Sequence, residues 1–198
     1  MIWIKQGSIL NWNIYRGDIM LDDFIKVMAM PQDVVEKYRT MVPDELIQIW
    51  QNQGIGTFLG GYLKIINPEE YRDLLDSTYF RGDLAVPIFV TAFGDIITFE
   101  ENRYLRLVKY KDGVFEIILE NFLFFLKFLK DEDFQKDYFE IDLYKSALKQ
   151  YGDLDYYYCF GFFPLLGLGG QKTVENIDKV KIKEHIYIIS EFVGNIGM

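Results

Sequence analysis

The sequence predicts one α+β domain, an antiparallel β-meander with helices flanking it. Three observations carry that expectation. The chain has 198 residues, half of them hydrophobic and 17% aromatic, enough for one substantial core. Between residues 85 and 119, β-branched and aromatic runs are separated by short Gly- and Asp-containing turns, the pattern of neighbouring antiparallel strands. On both sides of that stretch, apolar residues recur at spacings of three and four between helix start and stop signals.

Taken in order, "DDFIKVMA" (22–29) and "DVVEKYRT" (33–40) read as short helices separated by Pro31. In "VPDELIQIWQNQGIG" (42–56), Pro43 fits a first helical turn, Asp44 and Glu45 favour its positive end, and Gly54 suits the stop. Leu46, Ile49 and Trp50 share its inward face. "GYLKII" (61–66) alternates as a strand with Tyr62 and Lys64 opposite Leu63 and Ile65. Asn67 and Pro68 then cap and open a helix over 67–79 with Leu74 and Leu75 inward. Two strands joined at Gly94-Asp95 fill 85–99, and "YLRLVKY" (104–110) and "VFEIIL" (114–119) flank a "KDG" turn, giving a meander with one wet face.

"ENFLFFLKFL" is apolar nearly all round and predicts a well-buried helix. One or two helices follow and end near Gly152, and "TVENIDKVKIK" reads as extended. "EHIYIISEFVG" predicts a last helix with Ile186, Ile189 and Phe192 or Val193 inward, stopped by Gly194. Residues 1–20 form a lead-in and 21–198 the domain. For the lead-in two readings stand: a strand built on Ile2, Trp3 and Ile4, or translated sequence ahead of a start at Met20.

Lys and Arg number 21 against 30 Asp and Glu, a net charge of −9 that disfavours nucleic acid and anionic membranes and favours basic partners. The single cysteine, Cys159, cannot form an internal disulfide and fits a reducing, cytoplasmic setting. No secretory signal or membrane-length apolar run is read in the chain. "FGFFPLLGLGG" (160–170) invites comparison with a phosphate cradle. The Walker spacing is absent and Lys172 stands where a dinucleotide fingerprint needs glycine, so a tight apolar loop is the better reading. One histidine, His185, cannot build a His-rich metal site, and the carboxylate pairs read as solvated helix starts. Neither catalytic residues nor a cofactor or metal site is expected.

The densest charge lies in "DEDFQKDYFEID" (131–142), six acids against one lysine. Asp131, Glu132, Asp133, Asp137, Glu140 and Asp142 are either an ordinary solvated helical face or an acidic docking surface for a basic protein.

Several landmarks in order resemble the GAD-like immunity proteins that accompany antibacterial DNase toxins of type VI secretion and related polymorphic-toxin systems. They are 42–56, "GYLKIINPEEY" (61–71), "VPIFVTAFGDIITFEEN" (86–102), "ALKQYGDLD" (147–155), the 160–170 loop and "VENIDKVKIKEHI" (174–186). Phe160, Leu165 and Gly167 depart from the usual tyrosine and alanines of that loop. The resemblance implies a GAD-like fold and a cytoplasmic, non-enzymatic protein that occludes a cognate toxin, a basic nuclease. It marks Trp50, Gly54, Pro68, Phe93, Gly94, Asp95, Gly152, Pro164, Gly169 and Gly170 as signature positions with fold-defining roles. The alternative is a ligand- or RNA-associated module without catalysis, for which Arg103, Arg106 and Lys109 are the best basic stripe.

Overall fold

A computed structural model describes residues 19–197. Of the lead-in, only residues 19 and 20 fall among them, so both readings of the first eighteen residues lie outside the described region. Seven antiparallel strands pair in simple chain order: β1 (Ile25–Met28), β2 (Ile55–Phe58), β3 (Leu63–Ile65), β4 (Ala85–Thr91), β5 (Ile96–Glu100), β6 (Tyr104–Lys109) and β7 (Val114–Leu119). The helices are α1 (Gln32–Tyr38), α2 (Asp44–Asn52), α3 (Pro68–Thr78), α4 (Phe122–Phe128), α5 (Glu132–Phe139), α6 (Ile141–Tyr151) and α7 (Ile182–Val193). A second, two-stranded sheet pairs β8 (Tyr158–Phe162) with β9 (Ile177–Lys181). The α+β meander flanked by helices is therefore present.

Hydrophobicity on both sides of the meander decides how the helices are placed. Every residue of β4 and β5 is buried, so the central sheet has two covered faces rather than one wet face. On one face Leu63, Ile65, Phe89, Ile97, Leu105 and Leu107 join the inward sides of α1, α2, α4, α5 and α6 in one cluster. Their strand neighbours Val90, Ile96 and Val108 point the other way and pack with α3 and α7. Lys64 is the sharpest departure from the alternation read in the sequence. It is fully buried and donates to the carbonyls of Asp155 (2.9 Å) and Tyr156 (3.0 Å), and burial draws its ammonium down to about 8.

Other expectations also change. Residues 25–28 form an edge strand instead of part of a helix, because pairing with β2 (Ile25 opposite Thr57) supplies backbone partners that so short a segment cannot make alone. Phe192 is 65% exposed and Val193 lies at the surface, while Ile182, His185, Ile186 and Ile189 make the buried side of α7. Strand β8 falls partly within the expected glycine loop. It is anchored to the main sheet by the Phe160 amide donating to the Ala92 carbonyl (2.7 Å) and by the Phe93 ring stacked on Phe162.

The loop after β8 is closed by backbone contact. A Cβ at Gly170 would stand 1.9 Å from the Pro164 carbonyl oxygen, whereas Gly169, at φ +89°, faces open space. Gly170→Ala should therefore lower unfolding free energy by more than about 2 kcal/mol through overpacking, and Gly169→Ala by about 1–2 kcal/mol through left-handed strain alone. Urea unfolding of the two variants side by side reads the difference.

Candidate partner-binding surface

The acidic segment forms α5 and the start of α6, and local chemistry fixes its outline. Asp131 caps α5 by accepting from the Phe134 amide (2.9 Å), as Asn121 caps α4 through Phe124 (3.0 Å). Phe134 and Phe139 anchor α5 in the core, leaving Glu132, Asp133 and Asp137 at the surface. Asp142 is exposed on the first turn of α6. Glu140 differs. It breaks the two helices apart in a left-handed conformation (φ +50°) and is half-buried, so its carboxylate serves the interior rather than the outer face.

The partners of Glu140 are Lys172, at 2.6 Å, and Lys111, at 3.6 Å. Lys111 is itself buried and paired with Asp95, and it lies 3.1 Å from Asp112, which Lys172 reaches at 2.7 Å. Burial works against the Lys111 charge, but Asp95, Glu140 and Asp112 outweigh it and hold its ammonium above the usual lysine range. Burial also pushes the Asp95 carboxyl up, against the pull of Lys111. The network thus ties the β4–β5 turn, the turn before β7, the α5–α6 corner and the glycine loop.

The signature residues are mostly structural in their contacts. Trp50 is buried edge-on to Tyr38, and Gly54 (φ +85°) passes so close to the Met28 carbonyl that a Cβ would lie 2.5 Å from it. Pro68 opens α3 behind the Asn67 cap. Phe93 packs beneath the small sheet, Gly94 lies against Cys159, and Asp95 is the Lys111 partner. Gly152 terminates α6, and Pro164, Gly169 and Gly170 shape the loop. Sequence reading marked Asp95 but gave Lys111 no role beyond its place in the "KDG" turn.

The single thiol and imidazole are both buried, and no hydrogen bond joins them among the described residues. Burial pushes Cys159 up to about 12 and draws His185 down to about 4, opposite to what a thiolate–imidazolium pair needs. Among the described residues no group of three His, Cys, Asp or Glu side chains is placed to hold a metal ion. The basic stripe is dispersed, with Arg103 paired to Glu120, Arg106 to Glu100 and Lys109 to Glu116. No helix among the described residues is long and apolar enough to cross a membrane.

With that geometry in place, known proteins give a family. Residues 18–111 match the family model described as "GAD-like domain", and residues 119–193 match "T6SS immunity protein Tdi1, C-terminal". The chain therefore joins a GAD-like domain to a segment of the Tdi1 immunity-protein type. A structure titled "Crystal structure of Atu4351 from Agrobacterium tumefaciens" has a similar fold, at a TM-score of 0.69 and 19% identity, over 83% of this chain and 82% of that one. A search of curated proteins gives no match. The buried network crosses the two matched segments: Asp95 and Lys111 belong to the GAD-like part, Glu140 and Lys172 to the Tdi1-type part. An immunity family implies a cognate toxin as partner.

Two outcomes follow from the buried groups. Lys111→Met leaves Asp95 without its cation and should cost about 3–5 kcal/mol, and adding Asp95→Leu should recover part of that loss in chemical denaturation. The neutral form of His185 is favoured by folding, so its contribution is complete above its ordinary value of 6.5 and falls away as pH drops towards about 4. The limit is about 3 kcal/mol, and His185→Gln should flatten stability across that window.

Proposed function

We propose that this protein neutralises a cognate antibacterial toxin of the DNase class, in a type VI secretion or related polymorphic-toxin system, by covering the toxin's nucleic-acid-binding groove. The observation that carries the reading is the outward face of α5, where Glu132, Asp133 and Asp137 are exposed and without a cation partner among the described residues. A DNA-cutting groove must be basic to hold phosphate, and an exposed row of carboxylates is complementary to it. Such an inhibitor works by binding alone in the cytoplasm, with no catalytic step, cofactor, metal or membrane contact of its own. Residues 21–198 serve as one GAD-like immunity unit behind the lead-in of residues 1–20.

The acidic residues divide in this reading. Glu132, Asp133, Asp137 and Asp142 face the toxin, Asp131 caps the helix that presents them, and Glu140 sets the corner from inside. The RNA-associated alternative loses its best feature, because Arg103, Arg106 and Lys109 each lie against a carboxylate.

The test is a pull-down with the protein encoded by the neighbouring gene, followed by a nuclease assay of that protein with and without this chain. Stoichiometric binding that silences cleavage is expected. Combined Glu132→Gln, Asp133→Asn and Asp137→Asn changes should weaken binding by about tenfold at low salt and less at high salt, as screening removes the charge contribution. Undiminished cleavage in a saturating mixture of wild-type chains would reject the reading.

A further inference from the structure

The composition of α4 and its burial do not agree. "NFLFFLKFL" (121–129) is apolar nearly all round, Lys127 apart, and a helix of that kind is normally covered on most sides. Here the fold covers one side only. Phe122, Phe125 and Leu126 are buried, whereas Leu123, Phe124 and Phe128 are 39%, 51% and 43% exposed. With Lys127 they stand at helix-face spacing and form one continuous outer surface, the lysine lying over the Phe124 ring. Aromatic side chains grouped on a surface and bordered by charge are the common anchors of protein–protein contacts.

The borders of this surface identify what covers it. On one side Phe128 stacks on Phe134 of α5, the helix that exposes Glu132, Asp133 and Asp137. On the other, Leu123 forms a wall of a cleft of about 380 Å³ that also takes in Asp44, Glu45 and Glu120, with Arg103 tied to Glu120. The apolar face, which carries Lys127, therefore lies between two margins where carboxylates outnumber cations, Arg103 on one and Lys136 on the other. A second copy docking on it about a twofold axis would bring like charges together. A partner with an apolar depression rimmed by Lys or Arg satisfies both the rings and the margins.

We propose that the outer face of α4, centred on Phe124 and Leu123, is the apolar anchor of the toxin interface, seated in a hydrophobic depression of the toxin that basic side chains surround. This rests on the immunity reading above and divides the interface in two. The acidic margins speed and orient the encounter, and the α4 face sets how long the complex lasts. The sequence and the fold agree on this: the helix is apolar on both sides, Lys127 apart, because two different chains bury it.

The experiment measures association and dissociation of the full chain with the neighbouring gene's toxin at low and high salt. It compares wild type, Phe124→Ser, Leu123→Ser and the double variant. Both positions are surface-exposed, so the thermal midpoint serves as a check that each variant folds. The expected result is roughly tenfold or greater weakening in the double variant, carried by faster dissociation and of similar size at both salt concentrations. Wild-type binding with the double variant within about twofold of it overturns this inference and leaves the immunity reading standing. No wild-type binding overturns both. A wild-type dimer that the double variant dissolves, or a gain in toxin affinity when the chain is begun at Ile19, also overturns it, by giving the face to a second copy or to residues 1–18.

Discussion

One buried cation holds the two halves of this chain in register. Lys111 sits at the last residue of the GAD-like match, its ammonium enclosed by Asp95, Asp112 and Glu140, and Lys172 closes the ring from the glycine loop. Charges taken out of water are costly unless their partners are well placed. That requirement works as a constraint on geometry. The β4–β5 turn must present Asp95 inward, the α5–α6 corner must adopt the left-handed conformation that brings Glu140 in, and the loop after β8 must return to Lys172. Hydrophobic burial alone would tolerate sliding of the helical layer over the sheet; a ring of paired charges does not.

That fixed base matters for a protein that acts by binding. Ordering a surface at the moment of contact subtracts from affinity, and surfaces held by a rigid scaffold avoid the loss. Helix α5 is held at both ends, by the Asp131 cap and by the Glu140 corner, and Phe134 and Phe139 pin its inner side. Its carboxylates are then displayed without competing internal cations. Elsewhere the interior takes up its own charge: Glu100 is buried beneath Arg81, Arg106, Tyr79 and Thr98, which removes two arginines and a carboxylate from the outer field.

Much of this was legible in the sequence, for reasons that differ by element. Helix α3 was plain because Asn67 and Pro68 state its start chemically, and the observed cap hydrogen bond to the Glu69 amide is the one those residues call for. The β4–β5 hairpin was equally plain from Gly94-Asp95. Strand β1 was not, because four residues beside a proline carry no period that separates helix from strand, and only β2 decides the matter. Lys64 was misjudged because a lysine reads as solvated unless its acceptors are known, and its acceptors come from residues far along the chain, Asp155 and Tyr156.

The misreading of α4 has another cause and teaches more. Residue pattern gives the total apolar surface a segment must eventually hide, not the part hidden within one chain. When the fold covers less than the pattern demands, the difference measures what remains for a partner, and at α4 that difference is two phenylalanine rings and a leucine. The acidic residues of α5 show the converse, since their pattern fits water or a basic partner equally well and burial cannot separate the two. Apolar excess therefore locates an interface more sharply than charge does. Charge in turn selects who occupies it, because a surface rimmed with carboxylates repels its own copies and nucleic acid while drawing in a basic protein. Anchor and rim answer separate questions, one about place and the other about partner, and in this fold they lie side by side on consecutive helices.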